Sequence, residues 1–322
     1  MKILDSLNKI NKIITNSKQI FIVGHKFLDL DALGSAIGMY YYISNLNKEV
    51  YIIVDDNTKE KAVAKIINET SDIVRYITSS KALKLKHEDS VLMIVDTNKS
   101  YLLQNPILSD SFNTKIIIDH HQLTSDSIRA NLMVVDTESS STCEMVTEFL
   151  KENDFMIDSY LATILLSGIV LDTNNYVLKT NSNTFYYSYY LTICGALPQK
   201  VQYLLKQDLK KYIKRQKMIT NVKIINHIAL TKGASNDKYR REELAKTADT
   251  LLLFDNISAS FVVAKLDKNS IGISARSMGD INVGQVLTMF DGGGNFSEAA
   301  AVITGSSIND VEKKLLSILK LL

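Results

Sequence analysis

The sequence predicts a mainly parallel α/β sheet with helices on both faces, joined by a helical linker to a smaller α/β domain. Three observations predict it. The first half alternates short apolar, β-branched runs with helical patterns. A polar helical stretch then follows Pro198, and beyond it the strand–helix pattern starts again. A length of 322 residues also suits two domains better than one.

The opening segment, MKILDSLNKINKIITNSKQ, carries Ile3, Leu4, Leu7, Ile10, Ile13 and Ile14 on one stripe and polar residues elsewhere. It reads as an amphipathic helix, not a signal peptide. Strand-like runs follow at Gln19–Val23, Val50–Val54, Ser90–Val95, Lys115–Ile118 and Leu132–Val135. Helical patterns lie at Ala32–Asn45, Glu60–Asn68, Ser141–Glu152 and Ser159–Ile169. The longest apolar stretch, Leu161 to Leu171, contains Ser167 and Gly168 and stops at Asp172. That is too short to cross a membrane, so a soluble chain is expected.

Pro198 opens a polar helical stretch over Gln199–Asn221, including LKQDLKKYIKRQK. Those cations read as the solvated face of a connecting helix rather than a phosphate track. Strand-like runs at Ile224–Leu230, Ser258–Leu266 and Ser270–Ser274 then accompany helices near Arg241–Leu253, Val283–Phe290 and Asp310–Leu321. The expected division is a catalytic domain over 1–198, a linker over 199–220 and a substrate-binding domain over 221–322. No internal repeat or low-complexity segment interrupts it.

Composition narrows the function. With 46% hydrophobic and 22% charged residues the chain can bury real cores, which excludes general disorder. A net charge of +2 lacks the basic excess that long nucleic-acid tracks need, although a small nucleotide can be held by a few local cations. Cys143 and Cys194 stand alone, without the spacing of a zinc site or a disulfide framework. Both read as buried apolar residues suited to a reducing cytoplasm.

Chemistry-bearing residues gather where strands end. The first strand runs into Gly24-His25-Lys26-Phe27-Leu28-Asp29-Leu30-Asp31, and a helix follows. The third ends at Asp96-Thr97 and the fourth at Asp119-His120-His121, while the helical segment LLSGIV ends at Asp172-Thr173. Ligands of open α/β sheets bind beyond the carboxyl ends of the strands. Taken singly, Asp29 or Asp31 reads as a helix cap, Asp96 as a turn residue and His25 as a core histidine. Together, four acid-rich clusters at one edge repel one another unless cations neutralise them. Oxygen donors with some imidazole and no thiolate suit Mn²⁺ or Mg²⁺ more than structural zinc, and this many ligands suits two ions.

At these residues the sequence resembles the DHH phosphoesterase superfamily. The resemblance rests on GHKFLDLDALGSA (24–36), IVDTN (94–98), Asp119-His120-His121 and GIVLDT (168–173). The C-terminal part resembles the associated DHHA1 domain through ISARS (273–277) and DGGGNFSEAA (291–300). The resemblance implies that His25, Asp29 and Asp96 hold one metal, and that Asp31, Asp96, His120 and Asp172 hold the other, with Asp96 bridging. It implies that His121 faces the scissile phosphate. Arg276, Ser277, Gly292, Gly293, Gly294 and Asn295 would bind substrate, the glycines by presenting backbone N–H groups to an anion at a helix N-terminus. Two departures stand out: Asp291 replaces the first of four usual glycines, and Asn295 replaces the usual histidine. Leu28 stands where a proline is frequent.

Within the superfamily, SSSTCEMVTEFL, LDTNNYVLKTNSNTF and IGISARSMGDINVGQVLTMFDGGGNFSEAA are most similar to the catalytic part of the cyclic-di-AMP phosphodiesterases of low-GC Gram-positive bacteria. The resemblance implies a cytoplasmic, homodimeric enzyme with two Mn²⁺ (Mg²⁺ or Co²⁺ as substitutes) that opens cyclic di-AMP to pApA with metal-activated hydroxide. Such proteins carry membrane, sensory and degenerate cyclase segments ahead of this part, so the sequence reads as a stand-alone version or an excised catalytic region. The alternatives are a nanoRNase or pAp phosphatase acting on short oligonucleotides or 3′-phosphoadenosine 5′-phosphate, and a nucleotide sensor without turnover. A manganese pyrophosphatase ranks lower, because its second domain lacks the glycine-loop pattern.

Overall fold

The structure is a computed structural model that describes residues 2–55, 60–279 and 281–321. Asp280, inside the long C-terminal stretch quoted above, lies outside the described residues. The chain divides into two compact units, Met1–Lys206 and Gln207–Leu322.

In the first unit, β1 (Gln19–Val23), β2 (Glu49–Ile53), β3 (Tyr76–Ile77), β4 (Val91–Val95), β5 (Thr114–Asp119) and β6 (Leu132–Val135) form one sheet in the order β3-β2-β1-β4-β5-β6. Every pairing in it is parallel. Strands covered on both faces lose the polar alternation of half-exposed strands, which explains the unbroken apolar runs QIFIV and VLMIV. Along β1 the side chains alternate between two cores. Ile20 and Ile22 pack into the larger one with α1 (Ile3–Asn16), α2 (Leu30–Asn45), α3 (Lys61–Thr70), α6 (Thr142–Glu152) and α7 (Ser159–Asp172). Phe21 and Val23 face the smaller one with Ala82 of α4 (Ser79–Leu85) and Leu108 of α5 (Leu108–Ser111).

This strand order matters for function. The sheet grows outward from β1 in both directions, so the connections after β1 and β4 leave toward opposite sides. A crevice opens at such a switch point, beyond the carboxyl ends of these two adjacent strands.

Several elements were not visible as sequence patterns: the two-residue β3, α4, and α8 (Ser182–Ile193). The polar stretch 199–221 is not one helix. It forms α9 (Pro198–Leu204), packed on α7, and α10 (Leu209–Ile219), packed on α11 (Arg241–Leu251). Asp208 separates them by capping α10, its Oδ1 accepting from Lys211 N at 3.1 Å. Among the described residues no helix is long and apolar enough to cross a membrane. Cys143 is buried as expected, whereas Cys194, at the C-terminal end of α8, is only partly buried.

The second unit holds β7 (Lys223–Ile225), β8 (Ile228–Lys232), β9 (Ala259–Lys265), β10 (Ser270–Ser277), β11 (Gly293–Gly294) and β12 (Glu298–Thr304), ordered β11-β12-β10-β9-β8-β7. Only β8 and β9 run parallel. The apolar run at 224–230 folds into a hairpin because Asn226 and His227 both take positive φ (44° and 67°), the geometry of a tight two-residue turn. Helix α11 packs on one face of this sheet. Helices α12 (Val283–Thr288) and α13 (Ile308–Leu319) pack on the other.

Close packing of α2 on α7 brings the site's helices together. A Cβ added to Gly168 would press into Cys143 Sγ and come within 3.0 Å of Asp31 Cα. Alanine favours a helix interior by about 1 kcal/mol over glycine, but overpacking of this kind costs about 1–3 kcal/mol. Gly168→Ala should therefore be net destabilising in urea denaturation; a more stable variant would show that α2 and α7 have room to part.

Candidate metal centre

The loops after β1, β4 and β5 and the last turn of α7 carry the acids and imidazoles singled out in the sequence. The structure brings His25, Asp29, Asp31, Asp96, His120, His121 and Asp172 together. Three groups have ligand atoms within 4.8 Å of one another: His25 with Asp29 and Asp96, Asp31 with His120 and Asp172, and Asp96 with His120 and His121.

Each side chain is placed by its backbone. Asp29 is the N-cap of α2, its Oδ1 accepting from Asp31 N and Ala32 N at 3.0 Å each, while Oδ2 lies 3.6 Å from His25 Nε2. Capping and site-facing are thus done by different oxygens of one carboxylate. Asp31, one residue into α2, is fully buried. Its Oδ2 accepts from Thr142 N at 2.8 Å and its Oδ1 from Cys143 N at 2.7 Å, which seats it on the N-terminus of α6. Asp96 follows β4 with φ +59°, a left-handed conformation rare for a residue with a side chain. Such strain recurs at functional sites. Its Oδ2 lies 3.4 Å from His25 Nε2 and its Oδ1 3.4 Å from His120 Nε2.

His121 differs from its neighbour. Its side chain is 54% exposed, and Nδ1 pairs with Asp119 Oδ1 at 2.8 Å. Asp119 is fully buried and held in turn by Asn98 Nδ2, which donates to Oδ2 at 2.7 Å. Asn98 also donates to His121 O at 3.2 Å, so one side chain fixes both the loop and the acid that orients the ring. Sequence reasoning passed over Asp119 and Asn98 as supports, although both stand inside the quoted motifs. A strand-end acid and an amide do not announce which neighbour they will hold.

The electrostatics are those of carboxylates and imidazoles that share a buried volume and shift one another. Burial, followed by the charges of Asp96 and Asp172, holds the Asp31 carboxyl well above the usual carboxylate range. Burial also raises Asp172, with His120 opposing the shift. Asp96 moves the other way: burial pushes it up, but His120, His25 and His121 outweigh this and hold it well below the usual range. Burial likewise works against charge on His25 and His120, yet the surrounding carboxylates raise both well above the ordinary imidazole value. A helix N-terminus offers a carboxylate at most about 2 kcal/mol, whereas burying an unpaired ion costs about 3–5 kcal/mol. The α6 terminus alone does not neutralise the cluster.

One atom tests whether a cation fits. His120 Nε2 is buried and makes no hydrogen bond, although it lies 3.2 Å from Asp172 Oδ2 and 3.4 Å from Asp96 Oδ1. A buried ring nitrogen aimed between two carboxylates without hydrogen-bond geometry is what a metal-ligand position looks like. The donor set of carboxylate oxygens and imidazole nitrogens suits a hard or borderline divalent ion. The residues fit a metal.

The substrate-binding candidates lie in the second unit. Arg276, on β10, donates from Nε to Asp249 Oδ1 at 2.7 Å and from Nη1 to Ala275 O at 3.0 Å. Ser277 is buried, and its Oγ accepts from Gly279 N at 3.3 Å. The glycines do not open a helix as expected. They follow α12, and Gly293–Gly294 form the edge strand β11 against β12, so any anion would meet an edge-strand backbone. Gly292 is required for close approach, since a Cβ there would lie 2.6 Å from Ala300 O, whereas Gly293 faces open space. Asp291 takes φ +54°, a conformation in which aspartate is among the few tolerated replacements for glycine. Asn295 Oδ1 accepts from Ser297 N at 2.9 Å and Glu298 N at 2.8 Å, so its carbonyl end is committed to the turn into β12.

Fold and site together define a doubly wound α/β protein with an Asp/His cluster that could hold a metal at its switch point, followed by a second α/β unit. The chain belongs to the DHH family: residues 19–169 match the DHH family N-terminal domain, and residues 209–321 match the DHHA1 domain. It is 36% identical over 314 residues to the cyclic-di-AMP phosphodiesterase GdpP of Geobacillus thermodenitrificans, across 95% of this chain and 48% of that protein. It is 32% identical to the cyclic-di-AMP phosphodiesterase PdeA of Listeria monocytogenes, across 96% of this chain and 48% of that one. The chain thus spans about half the length of these curated relatives. An exopolyphosphatase-related protein from Bacteroides fragilis shares the fold at TM-score 0.81 and 19% identity, with 99% of this chain and 96% of that one covered.

The raised imidazoles give a pH dependence. They take up protons on folding, which stabilises the metal-free protein below the ordinary histidine value and is lost as pH rises through the raised one. Ligation needs neutral rings, so cation binding must expel those protons. Affinity for Mn²⁺ should rise from about pH 6 to about pH 8, with proton release in calorimetry across buffers of different ionisation enthalpy. A flat profile without release would contradict the charge state assigned here.

Proposed function

We propose that this chain is a metal-dependent phosphodiesterase that opens cyclic di-AMP to pApA. The observation that carries the reading is the disposition of Asp96, whose two carboxylate oxygens each face a different imidazole, His25 on one side and His120 on the other. On this reading His25, Asp29 and Asp96 would hold one divalent ion, and Asp31, Asp96, His120 and Asp172 would hold a second, Asp96 serving both. Mn²⁺ is the preferred ion, in keeping with the mixed oxygen and nitrogen donors. Such a pair supplies Lewis-acid polarisation of a phosphoryl oxygen and acidification of water for in-line attack.

The protein's own groups do the rest. Asp119 holds the proton of His121 at Nδ1, so in the protonated ring Nε2 carries a second N–H. That N–H would donate to the charge that develops on the phosphoryl oxygens. Burial opposes a charged His121 ring, but Asp119 and Asp96 outweigh it and raise its pKa, so the ring is more readily a donor. In the second unit Arg276, Ser277, Gly292, Gly293, Gly294 and Asn295 are assigned to the substrate's phosphates and bases. Asp249 pairs with Arg276 Nε at 2.7 Å, and Asn295, whose carbonyl is committed to the turn, has its amide nitrogen to offer.

The names of the relatives support cyclic di-AMP as substrate. Incubation of one preparation with Mn²⁺ and cyclic di-AMP, pApA or 3′-phosphoadenosine 5′-phosphate tests this. Cyclic di-AMP should be consumed fastest, with pApA accumulating. Faster turnover of pApA or of the bisphosphate would assign the chain to oligonucleotide or bisphosphate hydrolysis instead. Binding of cyclic di-AMP without turnover would make it a sensor. Asp96→Ala should lower turnover by at least about a thousandfold, since it removes the shared ligand; near-normal rates in that variant would refute the bridging role.

A further inference from the structure

The N-terminus of α6 carries a residue that the metal-ligand reading leaves without a part. Thr142 is fully buried. Its backbone N–H donates to Asp31 Oδ2 at 2.8 Å, and its hydroxyl donates to Asp96 Oδ1 at 3.1 Å. The imidazoles of His25 and His120 approach the same carboxylate at 3.4 Å each, whereas Thr142 is a hydroxyl donor to it, and Asp31 and Asp96 repel each other when both are ionised. Thr142 therefore ties together the two acids that have most reason to separate.

The hydroxyl also has a directional consequence. A carboxylate rotates about its Cβ–Cγ bond, and a half-turn exchanges its oxygens. With Oδ1 accepting from Thr142, Oδ1 is kept on the side of His120 Nε2, 3.4 Å away, and Oδ2 on the side of His25, also 3.4 Å away. Ser141 caps α6 by accepting from Glu144 N at 3.0 Å, and a Cβ on Gly34 would meet Cys143 Sγ at 2.8 Å, so the α6 terminus is held in place from both sides. The donor is thus on a rigid element.

We propose that Thr142 is a positioning residue of the metal centre, its hydroxyl fixing the rotation of the Asp96 carboxylate while its backbone seats Asp31. This rests on the metal-centre reading above. Hydrogen bonds that orient a ligand are worth about 10- to 100-fold in metal affinity when removed.

The test compares Thr142→Val, which keeps shape and loses the hydroxyl, with Thr142→Ser, which keeps the hydroxyl and loses a methyl. Metal-free proteins are titrated with Mn²⁺ by calorimetry, and their unfolding midpoints are measured without metal. Thr142→Val should bind at least one Mn²⁺ about 10- to 100-fold more weakly than wild type, and Thr142→Ser within about threefold of it. Wild-type affinity in Thr142→Val overturns the inference, and so does equal weakening in both variants, which would assign the effect to packing. If Thr142→Val does not fold, Thr142→Ser decides: loss of Mn²⁺ affinity in a folded serine variant overturns the inference, and retention supports it. A wild-type protein that binds no Mn²⁺ would instead sink the metal-centre reading itself.

Discussion

Three carboxylates, Asp31, Asp96 and Asp172, share a small volume beyond the ends of β1 and β4, and their mutual repulsion is the constraint on which the first unit is organised. Asp31 and Asp172 are pushed toward their protonated forms, while Asp96 is held ionised by the imidazoles around it. A buried cluster of this kind is unfavourable unless something positive enters it. The fold spends its nearby polar groups on holding the acids still rather than on neutralising them. The α6 terminus seats Asp31, the α2 terminus is capped by Asp29, and Thr142 reaches Asp96.

The strand order makes that concentration achievable. His25 and Asp96 leave adjacent parallel strands, and Asp119 ends the next strand along. Glycines on the helix faces then let α2 approach α7 closely enough for Asp31 and Asp172 to join from different helices. Asp96 takes a left-handed conformation just after β4, and its two carboxylate oxygens lie 3.4 Å from His25 and His120.

Much of this was legible in the sequence because buried parallel strands write themselves as apolar runs. QIFIV and LMVV were located to the residue, and each acid or imidazole cluster followed such a run or a helix. What was not legible depended on partners distant in sequence. The strand Tyr76–Ile77 is two residues long and exists only because β2 offers it an edge. The break at Leu205–Asp208 is written in a single capping aspartate within an otherwise helical polar stretch. The hairpin at Asn226-His227 needs two left-handed residues inside an apolar run. The acids and imidazoles that cluster could be read, but not the groups that hold them. Nothing in SSST says that a backbone amide will reach Asp31, 111 residues earlier.

Anomalous diffraction from crystals grown with Mn²⁺ tests the centre most directly. Two strong peaks flanking the Asp96 carboxylate, one among His25 and Asp29 and one among Asp31, His120 and Asp172, are the expected result. Peaks elsewhere on the protein, with these side chains left unligated, would contradict it.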